Sequence, residues 1–84
     1  MPTISTFYGI IIRMNQLRKE HNPPHIHAYY SGEIAAINIK TKAIMSGSLP
    51  KTAYKLVIEF LEKYEKELLS MWNSGQITNL PPID

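Results

Sequence analysis

Residues 25–40 read HIHAYYSGEIAAINIK, and this stretch decides the fold. His25 to Tyr30 and Glu33 to Lys40 are short runs in which aliphatic and aromatic residues alternate with polar ones. Ser31-Gly32 between them is a two-residue turn signal of the kind that closes a β-hairpin. Side chains two apart in a strand share a face. His25, His27 and Tyr29 therefore point one way, and Ile26, Ala28 and Tyr30 the other. On the return strand Ala35, Ile37 and Ile39 form the more apolar set, with Ile34, Ala36 and Asn38 opposite. One face of the hairpin suits a core, while the other collects imidazoles, a phenol and an amide. A slip of one residue would exchange the two, so this assignment is an expectation about register.

Upstream, Ile4 to Met14 is rich in β-branched and aromatic residues and predicts a first strand ending near Met14, with Ile10, Ile12 and Met14 inside and Ile11 and Arg13 on the histidine face. NQLRKEHNPP, residues 15–24, reads as a loop, because two successive prolines cannot donate to a sheet ladder and hold the chain stiff. Downstream, Thr41-Lys42 predicts a tight turn into a short fourth strand at AIMS, residues 43–46. From Ser48 the period changes: Ala53, Leu56, Val57, Phe60, Leu61, Tyr64, Leu68 and Met71 recur at three and four residues, the stripe of an amphipathic helix. Ser48 is the expected N-cap, Pro50 sits in the first turn and Gly75 ends the helix. Lys51, Lys55, Lys63 and Lys66 are interspersed with Glu59, Glu62, Glu65 and Glu67, which reads as a solvated flank rather than a nucleic-acid surface. Trp72 and Met71 read as core or dimer contacts. The tail QITNLPPID is too broken by proline for a helix and is suited to pairing with a sheet edge, in this chain or another. The predicted class is α+β: a three- or four-stranded antiparallel β-meander over residues 3–47, one long C-terminal α-helix over 49–73 packed on one face, and an extended tail over 76–84, in a single domain.

Composition narrows the function only by exclusion. With 84 residues, 44% hydrophobic and 19% charged, the chain has the balance of one small globular domain. A net charge of +2 is too weak to name nucleic acid as a partner by long-range attraction. The absence of cysteine excludes disulfides and thiolate metal sites. Arg13 interrupts the apolar N-terminal run well short of a signal peptide or membrane span, so the expectation is a cytoplasmic protein without a membrane partner, with a homodimer as a candidate state.

All three histidines fall in HNPPHIHA, residues 21–28. If the helix covers the apolar sets, the open face gathers His25, His27, Tyr29 and Asn38, with Arg13 added from the first strand. Three chemistries compete. Two imidazoles can serve as proton acceptor and donor near neutral pH, with Arg13, Lys40 or Tyr29 stabilising a phosphate. Alternatively His21, His25 and His27, with Glu20 or Glu33, can form an open zinc site, the cofactor alternative to none at all. Finally, histidines serve plainly as hydrogen-bonding loop residues. His21, Asn22, Asn38 and Lys40 are the candidate substrate- or partner-binding residues around this cluster.

At MPTISTFYGIII, HNPPHIHAYYSGEIAAINI and GSLPKTA the chain resembles the small prokaryotic proteins of domain of unknown function family 4160. The likeness covers nearly the whole length, and the H-N-P-P-H-x-H stretch is its most specific part. It implies one half of a two-gene, type II toxin–antitoxin module, encoded beside a small cognate partner protein. It marks His21, Asn22, Pro23, Pro24, His25 and His27 as signature positions without assigning them catalytic roles. The basic NQLRKE, residues 15–20, departs from the more acidic relatives and puts a carboxylate role there in doubt. The expected function is a toxin-like component cleaving RNA without metal, with His25 and His27 as acid and base, Arg13 as phosphate ligand and Tyr29 as positioning group. The alternatives are a non-enzymatic binding module, antitoxin or regulatory partner, that uses the open sheet face and the tail, and a small histidine-ligated metalloprotein.

Overall fold

The computed structural model describes residues 2–14 and 23–83. Its elements are β1 (Thr3–Phe7), β2 (Ile10–Arg13), β3 (His25–Tyr30), β4 (Glu33–Asn38), β5 (Ile44–Gly47) and α1 (Lys51–Ser74). The strands form one antiparallel sheet in the order β1-β2-β3-β4-β5, a meander, so the class is α+β as read. The strand count is five rather than three or four, because the stretch expected as one strand folds back on itself at Tyr8-Gly9. Those two residues have φ of 49° and 80°, matching Ser31-Gly32 at 49° and 82°. Two consecutive positive φ values give a turn whose twist suits the strands it joins. Glycine takes such a φ without penalty, whereas Tyr8 pays roughly 1 kcal/mol for its own.

The register assigns the faces. Ile12, Ala28 and Ala35 line up across β2, β3 and β4, and Ile26 lies opposite Ile37. All five are 0–1% exposed and share one core with Val57, Phe60, Leu61 and Leu68 of the helix. Phe7 and Phe60 bridge the two layers with ring centroids 5.1 Å apart. Each of the isoleucine, valine, leucine and phenylalanine side chains, fully buried, contributes about 1.5–3 kcal/mol. On the helix flank away from the sheet Glu59, Glu62, Lys63 and Lys66 are exposed, as their alternation implied.

The helix begins later than its Ser48 signal. Its N-cap is Pro50, with φ −59° and ψ 151° and no side-chain cap bond, while the Ser48 hydroxyl donates to Glu33 Oε1 at 3.2 Å. Pro50 therefore ends the extended approach instead of occupying the first turn, and its carbonyl accepts the first helical bond from Tyr54 N at 2.9 Å. The helix kinks at Tyr64 and ends at Gly75, whose left-handed backbone lets its N–H donate to Met71 O at 2.9 Å. No helix among the described residues is long and apolar enough to cross a membrane.

The two edges of the sheet are treated differently. Along β1, Leu80 N donates to Ile4 O at 2.8 Å and Asn79 Nδ2 to Thr3 O at 3.2 Å, and Ile83 is buried in the core. The tail thus pairs with a sheet edge of its own chain. Every residue of β5 is exposed. That strand is pinned at Gly47, where φ is +77° and an added Cβ would lie 2.0 Å from Ile34 O.

Candidate functional site

The β2–β3 register puts Arg13 opposite His27 and Ile11 opposite Tyr29, and the β3–β4 register pairs His25 with Asn38. These residues therefore share the face opposite the Ile12–Ala28–Ala35 row. The His25 and His27 rings meet edge to face with centroids 5.3 Å apart, and the Arg13 guanidinium lies over Tyr29, Cζ 4.9 Å from the ring centroid. Arg13 Nε is buried with no acceptor among the described residues. The cluster expected from strand alternation is brought together: two imidazoles, a guanidinium and a phenol.

His25 departs from the expectation that both imidazoles project from the uncovered sheet face. It is 7% exposed, and its ring packs against Trp72 of the helix with centroids 5.0 Å apart. At about 1.5 Å per helical residue against about 3.3 Å per strand residue, α1 is much longer than the six-residue β3. Its final turns extend past the strand, and Trp72 meets the residue at which β3 begins. His27, two residues on, stays half-exposed. Trp72, read from the sequence as a core or dimer contact, packs partly buried against the core and against His25, and nothing in its spacing says which strand end it reaches.

The Pro-Pro bend is tied down through its carbonyls. His25 Nδ1 lies 3.0 Å from Pro23 O, and Ile39 N donates to Pro24 O at 3.0 Å. A carbonyl only accepts, so Nδ1 carries the proton of this bond and Nε2 is the basic nitrogen of the neutral ring. The prolines act both as a rigid corner and as the device that sets the tautomer of His25.

Asn38 ends β4 two residues before the expected Lys40. Its Oδ1 accepts from Lys40 N at 2.8 Å and Thr41 N at 2.9 Å, which turns the chain toward β5. Part of its predicted binding capacity is thus spent on the turn. Lys40 is exposed beside it. Lys42, with φ of 64°, pairs with Glu65, and Tyr54 donates to the Lys42 carbonyl. A cleft of about 490 Å³ lies between the bend, this turn and the helix, lined by Pro23, Pro24, Asn38, Lys40, Thr41, Leu69 and Asn73. Thr41, read only as a turn residue, and Asn73 carried no sequence signal for this cleft, since only the tertiary fold joins their elements.

His21, Asn22 and Glu20 lie outside the described residues, and with them the third imidazole of the zinc alternative. Among the described residues no group of three or more histidine, aspartate or glutamate side chains is gathered to hold a metal ion. Glu33, the other candidate carboxylate, accepts from Ser48.

The fold and this face define a small α+β domain built around a meander with a histidine–arginine cluster on its β2–β3 strands. The model of the family Domain of unknown function (DUF4160) matches residues 9–73, and the chain belongs to that family. The match spans the turn glycine Gly9, the whole cluster and Trp72, and it leaves out β1 and the tail that closes it. No curated protein and no solved structure matches the chain.

Proposed function

We propose that this chain is a toxin-like component of a type II toxin–antitoxin module, acting in the cytoplasm on RNA and held in check by a small protein encoded nearby. The observation that carries this reading is the pairing of Arg13 with His27 across β2 and β3, with the second imidazole 5.3 Å from the first. Metal-independent RNA cleavage needs such a set. A base takes the proton of the 2′-hydroxyl, and the freed oxygen attacks the adjacent phosphorus. The bond to the 5′-oxygen breaks, an acid protonates that oxygen, and a 2′,3′-cyclic phosphate remains. His27, the more open imidazole, exchanges protons with the substrate. His25, its Nδ1 bound to Pro23 O, is the second imidazole of the pair. Arg13 neutralises the phosphoryl oxygens, and Tyr29 beneath it holds the guanidinium in place.

Purified protein incubated with RNA in EDTA tests this. Cleavage by the wild type is expected to fall roughly 10²-fold or more in His27→Ala, the usual size of an acid–base contribution. Undiminished cleavage by both His25→Ala and His27→Ala removes their roles, and no cleavage by wild type removes the ribonuclease. Growth arrest on expression, relieved by the neighbouring gene product, tests the toxin role whichever chemistry holds.

A second reading has its own observation. Ile34, Ile44 and Met45 are 49%, 37% and 44% exposed around the bare β5 edge. A non-enzymatic module would bind its partner there by strand addition. Loss of partner binding in Met45→Glu, in a protein without effect on RNA, favours this reading.

A further inference from the structure

Several acceptors around the cleft between the Pro-Pro bend, the β4–β5 turn and the end of α1 already receive a donor. Pro23 O receives His25 Nδ1, Pro24 O receives Ile39 N, and Asn38 O receives Lys42 N at 2.8 Å. Asn38 Oδ1 receives two backbone N–H groups, Lys40 O receives Lys42 Nζ at 3.2 Å, and Thr41 Oγ1 receives Ala43 N at 3.3 Å. What remains for a ligand is mostly donors: the Asn38 Nδ2 group, the Thr41 hydroxyl proton and the Lys40 ammonium. Asn73 adds an amide that can turn either way. Among the described residues no acidic side chain lines the cleft, and Lys40 has no carboxylate partner. Pro23, Pro24 and Leu69 supply an apolar wall.

We infer that this cleft binds a nucleotide phosphate, with Lys40, Thr41 and Asn38 holding its oxygens and the proline–leucine wall accepting the sugar or base. A phosphate offers mainly acceptor oxygens, so it suits a site that presents mostly donors. The orientation of Asn38 is built in, because its carbonyl oxygen is committed to the turn and only its Nδ2 end can face a ligand. Asn38 is also the cross-strand partner of His25, so the cleft adjoins the imidazole cluster. The identification of the ligand as a nucleotide rests on the RNA reading above. The preference for an anion does not.

The test is a titration of isotope-labelled full chain, followed by amide shifts, with adenosine 3′-monophosphate, inorganic phosphate and neutral adenosine as probes. Both phosphates are expected to shift the amides of Asn38, Lys40, Thr41 and Asn73, with adenosine alone far weaker. Affinity for both is expected to drop about tenfold or more in Lys40→Glu, with Lys40→Gln intermediate. Lys40 is exposed, so these variants fold, and an unchanged circular dichroism spectrum checks it. Phosphate shifts confined to other residues, or equal binding by Lys40→Glu, overturn the inference. Phosphate bound in the cleft by a protein that does not cleave RNA upholds the site and removes only the ribonuclease. Wild-type cleavage with a silent cleft does the reverse.

Discussion

His25 and His27 sit two residues apart on one face of one strand, yet they occupy different worlds. His25 is buried, hydrogen-bonded through Nδ1 to Pro23 and packed on Trp72, whereas His27 is half-exposed opposite Arg13. The strand gives both the same direction. The helix, whose last turns reach only the beginning of β3, makes the difference. One imidazole belongs to the architecture as much as to the cluster; the other lies opposite Arg13 on the sheet surface.

This contrast can be broken by measurement. The largest expected effect on stability is that of His25→Ala, which removes a buried hydrogen bond and an aromatic contact; urea unfolding should show a loss of about 2–3 kcal/mol. Trp72→Ala comes next, at about 2 kcal/mol, since the indole is only partly buried. If the two rings support each other, the double variant will lose about 1 kcal/mol less than the sum of the singles. Strict additivity would mean that the 5.0 Å contact carries no energy of its own. His27→Ala should cost less than His25→Ala while depressing cleavage. A cost as large as that of His25→Ala would erase the distinction. Smallest is Tyr29→Leu, which loses the guanidinium–ring contact and about 0.5 kcal/mol. Its sharper readout is slower RNA cleavage once Arg13 is no longer held.

Two turns show how far local sequence carries. Ser31-Gly32 and Tyr8-Gly9 have nearly the same backbone angles, but only the first stands out in the chain. Serine-glycine between two alternating segments is a familiar turn pair, while tyrosine is an unusual occupant of a positive φ and sits in a run of strand-forming residues. The extra strand was therefore hidden in the stretch that looked most uniformly extended. Ser48 illustrates a different limit. Its hydroxyl had two uses, capping the helix or bonding Glu33, and the position of β4 settled the choice.

Strand alternation and the three-and-four spacing of the helix are properties of neighbouring residues, so the chain by itself determined most of the side chains that enter the core. It likewise determined that Arg13, His25, His27, Tyr29 and Asn38 share the opposite face. Only the tertiary structure decided that Trp72 closes over His25, that the tail pairs with β1 while β5 stays bare, and that Thr41 and Asn73 meet in one cleft. Those contacts join residues far apart in the chain. They depend on how far the helix extends along the sheet and where each element ends, which no local period encodes.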